Sequence, residues 1–74
     1  MKGQHYYTAR TFDGAAGFQH MMIRPDGSLS TEGFVPKAGG EAYLKESGAV
    51  EVSAERYDAI REEAIQKTYK RGVK

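Results

Sequence analysis

Two Asp-Gly pairs, Asp13-Gly14 and Asp26-Gly27, cut the first half of the chain into short runs of strand-forming residues. Asp-Gly between alternating apolar runs is the strongest short-range hairpin signal, because a tight turn needs positive φ and both residues tolerate it. The flanking runs agree with this reading. QHYYTARTF (4–12) is rich in Tyr, Thr and Phe, and GFQHMMIR (17–24) is compact and apolar. SLSTEGFV (28–35) alternates loosely and stops at Pro36, which cannot donate to a sheet ladder. Three antiparallel strands in a meander are predicted.

The turns then assign the faces, since loop length sets register and register sets facing. A loop of two or four residues at 13–16 pairs odd positions of the first strand with even positions of the second. Pro25-Asp26-Gly27 reads as a type I turn closing with Gly in the left-handed region, a three-residue loop that pairs even with even. One face then carries Tyr6, Phe12, Met21, Ile23, Leu29 and Val35, with Thr8 and Arg10, and reads as the core. The other carries Tyr7, Ala9, Phe18, Met22 and Phe34, with His5, His20, Ser28, Ser30 and Glu32. A loop of different length would redistribute these residues.

The second half reads as helical. PKAGG (36–40) is a flexible connector, and residues 41–47 are good helix formers followed by Gly48 at a C′ position. An edge strand over 41–47 is the alternative. AVEV (49–52) reads as a short fourth strand. Ser53 is a good N-cap, Glu55 complements the helix dipole, and Val52 and Tyr57 stand at hydrophobic-staple spacing. Tyr57, Ile60, Ala64 and Ile65 recur as a helical stripe, and Gly72 ends the run. A helix over about 53–71 would be about 28 Å long. The expected fold is α+β: a three-stranded antiparallel meander with a short fourth strand, packed on one long C-terminal helix, with residues 1–74 forming a single small domain.

Seventy-four residues without cysteine exclude disulfides and thiolate zinc sites, and fit a reducing, cytoplasmic setting. The opening residues MKGQHYYTAR hold no apolar signal region, and no apolar run approaches the roughly 20 residues a membrane span needs. The chain is expected to be a complete, soluble gene product without membrane contact.

Few residues suggest chemistry. His5 and His20 share a face, some distance apart along the hairpin, and could act as a metal or acid–base pair, with Glu32 the one further ligand there. Zinc wants four ligands, so two histidines among aromatics are the simpler reading. Ser28, Ser30 and Thr31 lie near a turn with no nucleophile signature. The glycines of FDGAAGF and KAGGEA match neither a P-loop nor a dinucleotide fingerprint. Glu62, Glu63 and Asp58 read as a solvated helix face. No enzyme, cofactor or metal is expected.

Net charge is +1, yet residues 41–63 carry seven acids and three bases while 64–74 carry four bases and no acid. Lys67, Lys70, Arg71 and Lys74, with Tyr69 among them, form a small basic patch with a stacking ring, the basis of a nucleic-acid-binding alternative. Dipole complementation at a helix C-terminus explains the same charges more simply. The leading expectation is a small non-enzymatic protein-binding module, with a homodimer as one form of it. Its contact residues would be Tyr7, Phe18, His20, Met22 and Phe34 on the sheet face that one helix cannot cover. Folding of residues 41–47 over that face is the competing arrangement. Cysteine-free products of this length are frequent among phage and mobile-element proteins, which often act by occupying a surface on a larger host machine, as anti-CRISPR inhibitors do. That analogy is one of size and composition alone.

Overall fold

The computed structural model describes residues 3–73, with side chains as far as Thr68. Four strands and two helices follow in the order β1 (Gln4–Phe12), β2 (Ala15–Ile23), β3 (Leu29–Pro36), α1 (Lys37–Glu46), β4 (Val50–Glu51) and α2 (Ala54–Val73). The sheet order is β3-β2-β1-β4. The meander β1-β2-β3 is antiparallel, and β4 adds a two-residue parallel edge beside Tyr6 and Tyr7 of β1. The architecture is α+β, as the sequence predicts.

Both turns form as their residues dictate. Asp13 and Gly14 take φ of 53° and 81°, so both central residues of the two-residue loop are left-handed. This pairs Tyr7 with His20, Ala9 with Phe18 and His5 with Met22. At the second turn the Gly27 N–H donates to the Arg24 carbonyl at 2.8 Å, and the Arg24 N–H donates to the Ser28 carbonyl at 2.8 Å. The Asp26 carboxylate accepts from the Ser28 N–H at 2.9 Å and the Ser28 hydroxyl at 2.7 Å. The three-residue loop therefore pairs Ile23 with Leu29, as read from the sequence.

One residue later the register changes. Met22 pairs with Thr31, so Ser30 is an extra residue in β3, a β-bulge. Every β3 side chain beyond it changes face. Phe34 and Glu32 move to the face of Met21, and Val35 joins the face of Phe18, which corrects the assignment made from even pairing alone. The gain is physical. The bulge brings Glu32 to Arg61 and the Tyr57 hydroxyl. It also sets Val35 against an apolar cluster of Tyr7, Phe18 and Leu44. An unbulged strand would turn the carboxylate to the other face, away from these donors.

Each face of the sheet has its own helix. α2 packs Tyr57 and Ala64 on Met21 and Ile23, with Tyr6, Leu29, Val52 and Ile60 around them. α1 packs Leu44 on Tyr7 and Phe18, with Val35 and Ala49 around them. Tyr7 and Phe18 are only 2% and 7% exposed, so the face expected to stay open is closed by α1. That close approach depends on Gly40. A Cβ there would lie 2.8 Å from a Val35 methyl and 3.3 Å from the Phe18 ring.

The helix ends carry the signals read from the sequence. At the end of α1, the Gly48 N–H reaches the Lys45 carbonyl at 3.1 Å and the Ala49 N–H reaches the Leu44 carbonyl at 3.0 Å. With Gly48 at φ 81°, this is a Schellman cap. At the start of α2, the Ser53 hydroxyl accepts from the Arg56 N–H at 3.1 Å. Val52, at staple spacing from Tyr57, packs against the cluster that Tyr57 belongs to. No described helix is long and apolar enough to cross a membrane.

Candidate functional site

α2 crosses its face of the sheet obliquely. Asp58, in its second turn, holds Arg10 of β1 through two bonds of 3.0 and 3.2 Å. Near its other end the Thr68 hydroxyl accepts from the Leu29 N–H at 2.9 Å, beside the β2–β3 turn. At the β1–β2 hairpin end of this face, the groove described below has no helix residue in its lining.

A chain of polar contacts marks the boundary. Arg10 donates to the Gln19 side-chain oxygen Oε1 at 2.7 Å, and Gln19 Nε2 donates to Glu32 at 2.8 Å. The same Glu32 oxygen accepts from Arg61 Nε at 2.6 Å and from the Tyr57 hydroxyl at 3.3 Å. The Arg10 hydrogen bond holds the Asp58 carboxyl below its ordinary range, and Asp58 in turn raises the Arg10 guanidinium. Burial, followed by the charge and hydrogen bond of Glu32, pushes the Tyr57 phenol above its usual value. The carboxylates of this chain are tied down by donors, which suits a rigid wall better than a proton shuttle.

Beyond this wall lies an open groove of about 510 Å³, lined by Arg10, Phe12, Gln19, Glu32 and Phe34, with Thr11 and Gly33. Its floor is aromatic. Phe12 and Phe34 stack at 5.5 Å between centroids with a 42° tilt. Gly17 makes that contact feasible, because a Cβ there would lie 2.6 Å from the Phe34 ring edge. Phe12 is 64% exposed, more than any other large apolar side chain described.

The expected contact residues are thus divided. Tyr7 and Phe18 meet edge to face at 5.6 Å beneath α1 and belong to the core. Met22 remains partly exposed on their face, and His20 is half-buried. Phe34 lies on the opposite face with Phe12. Lys67 is exposed and lies over Gly27. The side chains of Tyr69, Lys70 and Arg71, and Lys74 altogether, lie outside the described residues.

No family model, curated protein or solved structure matches this chain. The site therefore stands on its own geometry. Sequence reasoning missed Phe12 and Arg10 as site residues because it counted both toward the core face. The available signal was position: Phe12 directly precedes the Asp13-Gly14 turn, at the far tip of a strand.

A second groove, of about 530 Å³, opens at the other end of the α1 side. His5, Met22, Ser30, Ser47 and Gly48 are among its walls. Here the two histidines do meet: His5 Nε2 and His20 Nδ1 are 3.2 Å apart, one donating and the other accepting. Among the described residues, no group of three or more His, Asp or Glu side chains comes together to hold a metal ion.

Proposed function

We propose that this chain is a small non-enzymatic protein-binding module whose contact surface is the uncovered hairpin end of the sheet. The observation that carries this is Phe12, 64% exposed and stacked on Phe34 in a groove lined by strand residues alone. Exposed aromatic patches rimmed by polar groups mark interfaces, and aromatics are enriched in interface cores. Arg10, Gln19 and Glu32 supply such a rim, already fixed by their mutual bonds. A rigid rim loses little side-chain freedom on binding, which favours affinity. The partner is a protein with a protruding apolar side chain flanked by polar groups. A surface on a larger host machine, engaged in the cytoplasm by an inhibitor of phage type, is the setting that size and composition favour.

Hydroxyl-radical footprinting of the complex with a captured partner tests the reading. Oxidation of Phe12 and Phe34 should fall on binding, while Met22 and Tyr43, exposed on the α1 side, should not change. Protection at Met22 and Tyr43 with none at Phe12 would overturn the assignment.

A further inference from the structure

We infer that the His5–His20 pair is a proton-sensitive latch that holds α1 on the sheet and releases it in mildly acidic solution. Both rings lie on the α1 face, 3.2 Å apart between Nε2 of His5 and Nδ1 of His20. His5 is only 8% exposed, and its Nδ1 is buried without a hydrogen-bond partner. His20 stands edge-on to Tyr43 of α1, with 6.3 Å between centroids. The pair thus links the centre of the sheet to the helix that covers it.

Protonation acts directly on this geometry. The N–H···N bond survives one added proton, since a charged ring still donates to a neutral one. Two added protons leave two N–H groups facing each other across the same gap, and the bond is lost. The groups around the pair offer little compensation. Tyr7 is the next residue on the same face of β1, and Thr31 and Gly33 face it from β3. From α1 comes Tyr43, while Glu41 and Lys45 are paired with each other at 3.5 Å. Glu51 of β4 acts on Tyr7. Glu32 lies on the far face and favours the charged form of His20 from there, the weaker influence on that ring. Burial lowers both histidines, and His20 lowers His5 further. The neutral pair is therefore favoured by folding. Its contribution is full above about pH 6.5 and is lost as pH falls through the lowered folded values.

The helix is built to move as a unit. Ala38 and Gly39 break the helical path before Gly40, and Gly48 ends it at φ 81°. Between these two joints the regular turns hold the sheet through Leu44 and the Tyr43–His20 contact. Release exposes Tyr7 and Phe18, an apolar face closed at neutral pH. This device lies on the opposite side of the sheet from Phe12 and does not depend on that surface.

Amide hydrogen exchange on the intact chain at about pH 7.5 and about pH 5, corrected for intrinsic rates, tests it. Protection of residues 40–49 should fall about tenfold or more at the lower pH, while 57–66 of α2 keep theirs. His20→Gln, which retains a hydrogen-bonding side chain without a titration, should remove the difference. Unchanged protection of 40–49, equal losses in both helices, or a folded His20→Gln variant with the same pH response would each overturn the latch. Should that variant fail to fold, NMR titration of the wild type decides. Tyr43 and Leu44 signals moving with the histidine midpoints support the latch, and signals that move independently of them overturn it.

Discussion

Tyr57→Ala is expected to abolish cooperative folding. Tyr57 is fully buried at the centre of the α2 core, against Met21, Ile23 and Ala64. Truncating a buried aromatic ring costs about 3–5 kcal/mol, and a small domain has about that much stability to lose. The loss extends past the cavity, because the Tyr57 hydroxyl is one of the donors on Glu32. Tyr57→Phe separates the two effects. It keeps the ring and removes one hydrogen bond, so it should cost about 1 kcal/mol in urea unfolding. A Tyr57→Ala variant with a near-native midpoint would show that α2 is not seated as described.

The second large effect is expected at Phe18. It is 7% exposed between Tyr7 and α1, so Phe18→Ser removes a core ring and introduces a hydroxyl among apolar neighbours. The cost should be at least about 3–5 kcal/mol, enough to unfold the chain by circular dichroism. The same change at Phe12, the exposed ring, should stay within about 0.5 kcal/mol. Equal effects of the two substitutions would mean that the covered and open ends of the sheet have been exchanged.

Much of this fold could be read from the residues, and the parts that could not have a common cause. The hairpins follow from Asp13-Gly14 and Asp26-Gly27, and both helix caps follow from Gly48 and Ser53, because turns and caps are local chemistry. The pairing of Ile23 with Leu29 came correctly from the turn. The bulge at Ser30 did not, since it is decided by Arg61 and Tyr57, some thirty residues away, which hold Glu32 on their side. The side α1 takes was also beyond local reading. It depends on the contact of Leu44 with Tyr7 and Phe18 and on the missing side chain of Gly40. The site moved for the same reason: once α1 covers Tyr7 and Phe18, and the bulge turns Phe34 over, the aromatic pair on the groove is the exposed Phe12 and the half-buried Phe34.

The most direct measurement is partner affinity of the wild type and Phe12→Ser, each with its unfolding midpoint. An interface anchored on Phe12 predicts a loss of about thirtyfold or more, the effect of an interface hot spot, at an unchanged midpoint. Undiminished affinity in a stably folded Phe12→Ser variant would contradict the account and remove the hairpin end of the sheet as the binding surface.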